Sequence, residues 1–240
     1  MKRFWNTATV NDTGSGYTIL LDGRPMHLPG GPLLTVGCLP LAQAIAEEWQ
    51  VAGGGRNGAM SFNDTPLTRL AGTAQQRIVP DPDPTIDAIA RYGETDLLCY
   101  RADSPRELVQ RQAREWQPWL DWAALIYDAP LRVTSQISYV RQHQDSVSAL
   151  RRAVAARDAY ALAGLGIAVP SLGSLVLGLA LADGALDADM AHRLGALEEL
   201  FEAEQWGEDA EAVARREAVR ADIALAARFI HLTRAPGPGG

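Results

Sequence analysis

Lysine is almost missing from this chain of 240 residues: Lys2 is the only one, so arginine supplies the rest of the 22 basic side chains. Against them stand 29 Asp and Glu, for a net charge of −7. That balance excludes the broad basic surface with which nucleic-acid binders track phosphates, so no nucleic-acid partner is expected. Two cysteines, Cys38 and Cys99, are too few for a disulfide framework and point to a reducing, cytoplasmic setting. Long apolar runs are missing as well. The longest, Leu172 to Ala182, is interrupted only by Gly and Ser and falls short of the ~20 residues that cross a bilayer. It reads as a buried core helix, with no stable membrane insertion. Met1-Lys2-Arg3-Phe4-Trp5 lacks the apolar core of a secretory signal. His27, His143, His192 and His231 are scattered, without His-x-x-x-His or Cys-x-x-Cys, and neither a Gly-x-Ser-x-Gly elbow nor a phosphate-binding Walker segment occurs. No metal, cofactor or catalytic nucleophile is expected.

What is present is an ordinary globular composition, 47% hydrophobic and 21% charged. The acidity is concentrated late: residues 1–80 carry six basic and five acidic side chains, residues 81–240 sixteen and twenty-four. The first forty residues alternate like strands, at Phe4 to Val10, Tyr17 to Leu21, Arg24 to Leu28 and Leu33 to Val36, with Asp22-Gly23 as a two-residue hairpin turn. Pro40 opens an amphipathic helix whose apolar face ends at Trp49. A second helix is predicted over Pro66 to Val79. The prolines at 80, 82 and 84 then break the chain. Beyond them helices are predicted at Ile86 to Leu97, Pro105 to Tyr127 with a kink or restart at Pro118, and about 145–156, 158–167, 171–183, 187–206 and 209–233. Leu131 to Val140 reads as a strand or extended crossover. The fold class is therefore α+β: an N-terminal domain over 1–80 with a small antiparallel β-sheet and helices, a mainly α-helical domain over 81–235, and a disordered tail over 236–240.

Gly53-x-Gly55-x-x-Gly58 matches the dinucleotide fingerprint in letters only, because a helix precedes it where a strand is required. Glu94-Thr95-Asp96 could pair carboxylates for acid–base work, but reads as the solvated end of a helix. Trp116, Trp119 and Trp122, with Leu108, Ala123 and Ile126, form a stripe read as core rather than as a stacking platform; Trp49, Trp119 and Trp122 are assigned structural roles. The segment Glu198 to Glu211 is less easily dismissed. It holds seven acidic residues and no basic one. The apolar stripe Met190, Leu194, Leu197, Phe201, continued at the same spacing, lands on Glu204 and Glu208. Trp206-Gly207 lies between them. Carboxylates in that register are either a buried structural pair or the edge of a partner-binding surface.

Phe201-x-x-x-Gln205-Trp206-Gly207-Glu208-Asp209, followed by Phe229-Ile230-His231-Leu232, resembles the Atp12 family of assembly chaperones for the F1 sector of ATP synthase. Further blocks agree in order: Arg3-Phe4-Trp5, Leu21 to Pro25, Ala46 to Trp49, Pro66 to Leu70, Arg91 to Tyr100 and Gly173 to Leu177. The resemblance spans about residues 3–233. It implies a non-enzymatic protein that binds the unassembled F1 α subunit and protects its interface until β replaces it. It also implies a β-containing N-terminal domain before a helical one, and an important Glu beside the Trp-Gly motif. Glu208 is the first candidate and Glu204 the second, with Trp206, Asp209 and Glu202 completing the proposed partner-binding set; a bacterial, cytoplasmic monomer is expected. The competing readings are a carboxylate-based hydrolase-type enzyme using Glu94/Asp96 or Glu204/Glu208, and a small-molecule binding protein using residues 53–58.

Overall fold

The computed structural model describes residues 2–136 and 138–234, so the tail at 236–240 lies outside the described residues. Two compact units emerge. One is built from the chain up to Pro82, from Ala159–Gly164 and from Arg228 onward; the other from Asp83–Asp158 and Leu165–Ala227. A single cut after residue 80 thus differs from these units, because two later segments cluster with the N-terminal one.

The N-terminal unit holds a four-stranded antiparallel sheet: β1 (Ala8–Asp12), β2 (Tyr17–Leu21), β3 (Arg24–Pro25) and β4 (Thr35–Val36), ordered β1-β2-β3 with β4 also on β2. Ala8 faces Leu21 and Asp12 faces Tyr17. The turn joining β2 to β3 has Asp22 at φ 49° and Gly23 at φ 78°, the pair of positive φ angles that the tightest hairpins require. Strand structure starts only at Ala8, not at Phe4. The reason is in the donors: Asn6 and Thr7 N–H donate to the Asp22 carboxylate, and even Ala8, the strand's first residue, gives its N–H to Gln50 Oε1. Side chains have taken what a neighbouring strand would have used. The later strands, Arg24–Pro25 and Thr35–Val36, are likewise shorter than the sequence pattern suggests, and in the first of them Pro25 has no N–H to give.

Helix α1 (Leu39–Val51) lies on the sheet and buries Leu41, Ile45 and Trp49. Its C-terminal carbonyls at Gln50 and Ala52 accept from the buried guanidinium of Arg3, at 2.8 and 3.2 Å. A cation is the favourable occupant of a helix C-terminus. Trp5 Nε1 donates to Trp49 O, and Trp49 Nε1 to Thr68 Oγ1. Glu48 closes the start of α2 (Pro66–Thr73) by accepting from Leu67 N, Thr68 N and Thr68 Oγ1 at 2.6, 3.0 and 2.9 Å. The last turns of this predicted helix widen into a π-helical stretch, Ala74–Ile78, where the Gln75 side chain bonds Thr35 N and Leu33 O. Tyr160 and Phe229, from the two later segments, meet at a centroid distance of 6.1 Å in the same unit.

The second unit is helical: α3 (Asp83–Ala90), α4 (Arg106–Tyr127), α5 (Gln144–Ala155), the later part of α6 (Ala159–Leu172), α7 (Leu175–Asp183), α8 (Ala188–Gly195), α9 (Leu197–Trp206) and most of α10 (Ala210–Arg234). Every residue of α7 from Leu175 to Ala182 is buried, which suits a helix apolar on all sides. Gly178 permits its closest approach, since a Cβ there would stand 2.4 Å from Val169 Cγ2.

Several expectations need correction. Helix α3 ends at Ala90 and passes into short 3₁₀ turns, Arg91–Glu94 and Leu97–Cys99. Helix α4 continues through Pro118, on a face where Gln117 and Pro118 are both exposed and water can satisfy the freed carbonyl. Its buried stripe is Leu108, Gln112, Trp116, Leu120 and Ala123. Trp119 and Trp122 are only half-buried and Ile126 is 52% exposed, because steps of three residues drift about 60° per step around the helix. No strand forms among the described residues of 131–140; Thr134 makes one parallel bridge to Tyr100. Helix 187–206 is broken at Ala196, near which Trp116 Nε1 takes the carbonyl of Leu194 at 2.9 Å.

Asp96 is the largest departure. Far from solvated, it is 0% exposed and accepts from Leu98 N at 3.0 Å and Val176 N at 2.9 Å, with the Ser174 hydroxyl adding a further bond. It joins a 3₁₀ turn to the start of α7. Burial pushes its carboxyl from the ordinary 3.8 up to about 6, against the hydrogen bonds, which favour the charge. Between those values the folded state keeps a proton that the unfolded chain has released. The contribution of this group to stability therefore falls as pH rises through that window and is level above it. Asp96→Asn removes the titration and presents N–H₂ to one backbone donor, costing about 1–3 kcal/mol. In urea unfolding, the advantage of the wild type over Asp96→Asn should shrink, by up to about 3 kcal/mol, between about pH 4 and pH 6.5; a gap that is constant or widens contradicts the buried-proton assignment.

Candidate partner-binding site

Helix α9 is anchored by two buried residues, Leu197 and Phe201, and beyond Phe201 it leaves the core. Glu202, Glu204, Gln205 and Trp206 are all exposed, Trp206 at 81%. Gly207, at φ 89° and ψ 169°, then turns the chain in a region that only glycine occupies without strain. Asp209 follows and accepts from Ala212 N at 3.1 Å, capping the start of α10.

The helix thus stops before Glu208, and Glu204 and Glu208 do not continue one stripe. Each meets a different arginine. Glu204 is held bidentately by Arg111 of α4, at 2.9 and 2.7 Å, and the same guanidinium lies 5.3 Å from the centroid of the Phe201 ring. The hydrogen bonds from Arg111 hold the Glu204 carboxyl below its usual range. Glu208 accepts at 2.8 Å from Arg216 of α10, a side chain only 10% exposed, while Glu208 itself stays 60% exposed. Glu199 pairs with Arg215 at 3.2 Å.

Trp206, Glu202, Glu208 and Asp209 line one groove of about 210 Å³, together with Glu199, Arg215 and Arg216. Glu204 is absent from its lining and faces Arg111 instead. Among the expected site residues, four converge and one stands apart. Arg215 and Arg216 were missed by sequence reasoning, because their position on another helix leaves no periodic signal in the acidic segment. Trp49 is buried at 6% exposure, and Trp119 packs edge-on to Trp122 at 6.3 Å.

Neither rival carboxylate pair converges on a reacting centre. Asp96 is spent on helix starts while Glu94 is exposed, and Glu204 and Glu208 are turned to separate arginines. The glycine loop at 53–58 closes on itself and on Arg3, with Arg3 N donating to Gly58 O and Asn57 N to Arg3 O. Among the described residues no cluster of three metal-ligating side chains occurs, and no helix is long and apolar enough to cross a membrane.

The family profile described as ATP12 chaperone protein matches residues 2–124. The crystal structure of Atp12 from Paracoccus denitrificans is 41% identical and superposes with a TM-score of 0.91, covering 97% of this chain and 98% of that one. The chain belongs to the ATP12 chaperone family. A crystal structure of a putative chaperone from Agrobacterium tumefaciens is 35% identical, with a TM-score of 0.87 over 95% of this chain and 84% of that one. The mitochondrial protein atp12 of Schizosaccharomyces pombe is 26% identical over 224 residues, 86% of this chain and 74% of its own length. The profile covers the sheet and helices through most of α4. The Trp206 groove lies beyond it, in the part of this ATP12-family chain that the structural matches cover. The family description and the name of the Agrobacterium protein both say chaperone.

The backbone at Gly207 sets where Trp206 stands. No atom lies within 4 Å of a Cβ built there, so Gly207→Ala acts through backbone strain alone. It should cost about 1–3 kcal/mol in urea unfolding; an unchanged midpoint would show that the turn tolerates a side chain.

Proposed function

We propose that this chain is an F1-ATPase assembly chaperone that binds the unassembled α subunit through the edge formed by Trp206, Glu202, Glu204, Glu208 and Asp209, and yields it when β arrives. The observation that carries the reading is the 81% exposure of Trp206 beside a carboxylate-lined groove, in a member of a chaperone family. An indole left in water is a poor use of a core residue but suits the centre of an interface, where tryptophan is among the commonest hot-spot side chains. Carboxylates around it favour basic groups on the client and raise the rate of encounter. Neither Cys38 nor Cys99 is in a disulfide among the described residues, which suits a reducing cytoplasm, and we take the working form to be a monomer.

Capture of purified F1 α subunit by the immobilised chain tests this directly. The wild type should retain α and release it when β is added. Trp206→Ala should weaken retention at least about tenfold with an unchanged melting temperature, since the side chain is exposed. Glu208→Gln is preferable to a charge reversal, because it keeps an acceptor for the buried Arg216; it should weaken capture more at low salt than at high. Retention of α by folded Trp206→Ala at the wild-type level would remove this edge from the interface, and failure of the wild type to retain α would remove the client.

A further inference from the structure

A second concave surface belongs to the N-terminal unit and shares no residue with the groove at Trp206. Its volume is about 510 Å³. Leu21, Met26 and Leu28 form an apolar floor, each no more than 6% exposed, while Phe4 and Phe62 stand at the rim, 61% and 49% exposed. Two half-exposed phenylalanines beside an apolar cleft make the kind of surface that suits contact with an apolar partner.

The charges at the rim identify the occupant. Arg24 lines the cleft and makes no ion pair among the described residues. Asp22, its nearest carboxylate in sequence, is spent on the backbone N–H groups of Asn6 and Thr7. The only other ionisable lining residue is His27, whose Nδ1 lies 2.7 Å from Gly31 O; no lining residue is acidic. The cleft therefore offers apolar contact and one exposed guanidinium with no ion pair among the described residues, the complement of a polypeptide segment in which a carboxylate sits among apolar side chains.

We propose that this cleft receives an apolar client segment carrying an Asp or Glu, with the apolar side chains held between Phe4 and Phe62 and the carboxylate on Arg24. This deepens the chaperone reading and rests on it only for where the segment comes from.

The test uses the full chain labelled with ¹³C at its methionine methyls and two synthetic hexapeptides, acetylated Gly-Leu-Phe-Asp-Leu-Gly amide and its Lys-for-Asp counterpart. Met26 reports on the cleft; Met190, on α8, is the control. The acidic peptide should shift the Met26 signal, leave Met190 in place, and bind at least tenfold more tightly than the basic one. Arg24→Glu, at an exposed position, should reverse that preference, and Phe62→Ser should weaken both peptides. An unmoved Met26 at saturating acidic peptide, a shift confined to Met190, or an unchanged preference in folded Arg24→Glu overturns the proposal. Because the probe is synthetic, its failure leaves capture of F1 α at Trp206 standing, and failure of that capture leaves the peptide result standing.

Discussion

One indole hydrogen bond decides where the acidic edge lies. Trp116, wholly buried in the helical unit, donates from Nε1 to the carbonyl of Leu194. A carbonyl committed to a side chain need not find the amide four residues on, so the helix that begins at Ala188 ends at Gly195 and a second begins at Leu197. The break re-aims everything that follows. Leu197 and Phe201 then hold α9 to the core, and its last turn projects from it. A continuous helix over 187–206 would have placed Phe201 and Trp206 on faces set by α8 instead.

The edge is acidic yet its carboxylates are tethered. Glu204, Glu208 and Glu199 each rest against an arginine, and Asp209 against a helix start. Side chains already held lose little freedom when a partner arrives, so more of the contact energy appears as affinity. Glu202 has no such tether among the hydrogen bonds and ion pairs at the edge. Burial of Arg216 makes its pairing with Glu208 structural as well as electrostatic: removing the carboxylate leaves a largely desolvated cation alone. A residue of this kind serves the fold and the surface together, which is why charge reversal there confuses the two.

Local signals were legible and distant ones were not. Asp22-Gly23 announced its turn because the two positive φ angles depend on those residues alone. The face of α1 ending at Trp49 followed from periodicity, and the blocks from Arg3 to Leu232 identified the family. Asp96 was misread because its decisive partner, Val176, is 80 residues away; nothing within Glu94-Thr95-Asp96 separates a solvated carboxylate from one that caps a buried helix. Strand pairing at Phe4 to Thr7 failed for a similar reason, since the competing acceptor Asp22 is 15 residues distant from Thr7. At the candidate site, Trp206 and the acidic residues stood out, but the arginines that order them lie on α4 and α10. The stripe argument for Glu204 and Glu208 assumed a helix that Gly207 ends.

At this edge an arginine does what a lysine could not. Arg111 grips both oxygens of Glu204 while its guanidinium carbon lies 5.3 Å from the centroid of the Phe201 ring. An ammonium can do neither of these two things as well: it has no fork to match a carboxylate and no plane to lay on a ring. The cation thus links the last buried anchor of α9 to the first carboxylate of its exposed turn, and stiffens the segment that carries Trp206. On the proposed reading, that stiffness bears on release of the client. If the free edge already resembles the bound one, affinity comes from a small contact rather than from folding around the client, and a larger subunit interface can displace it.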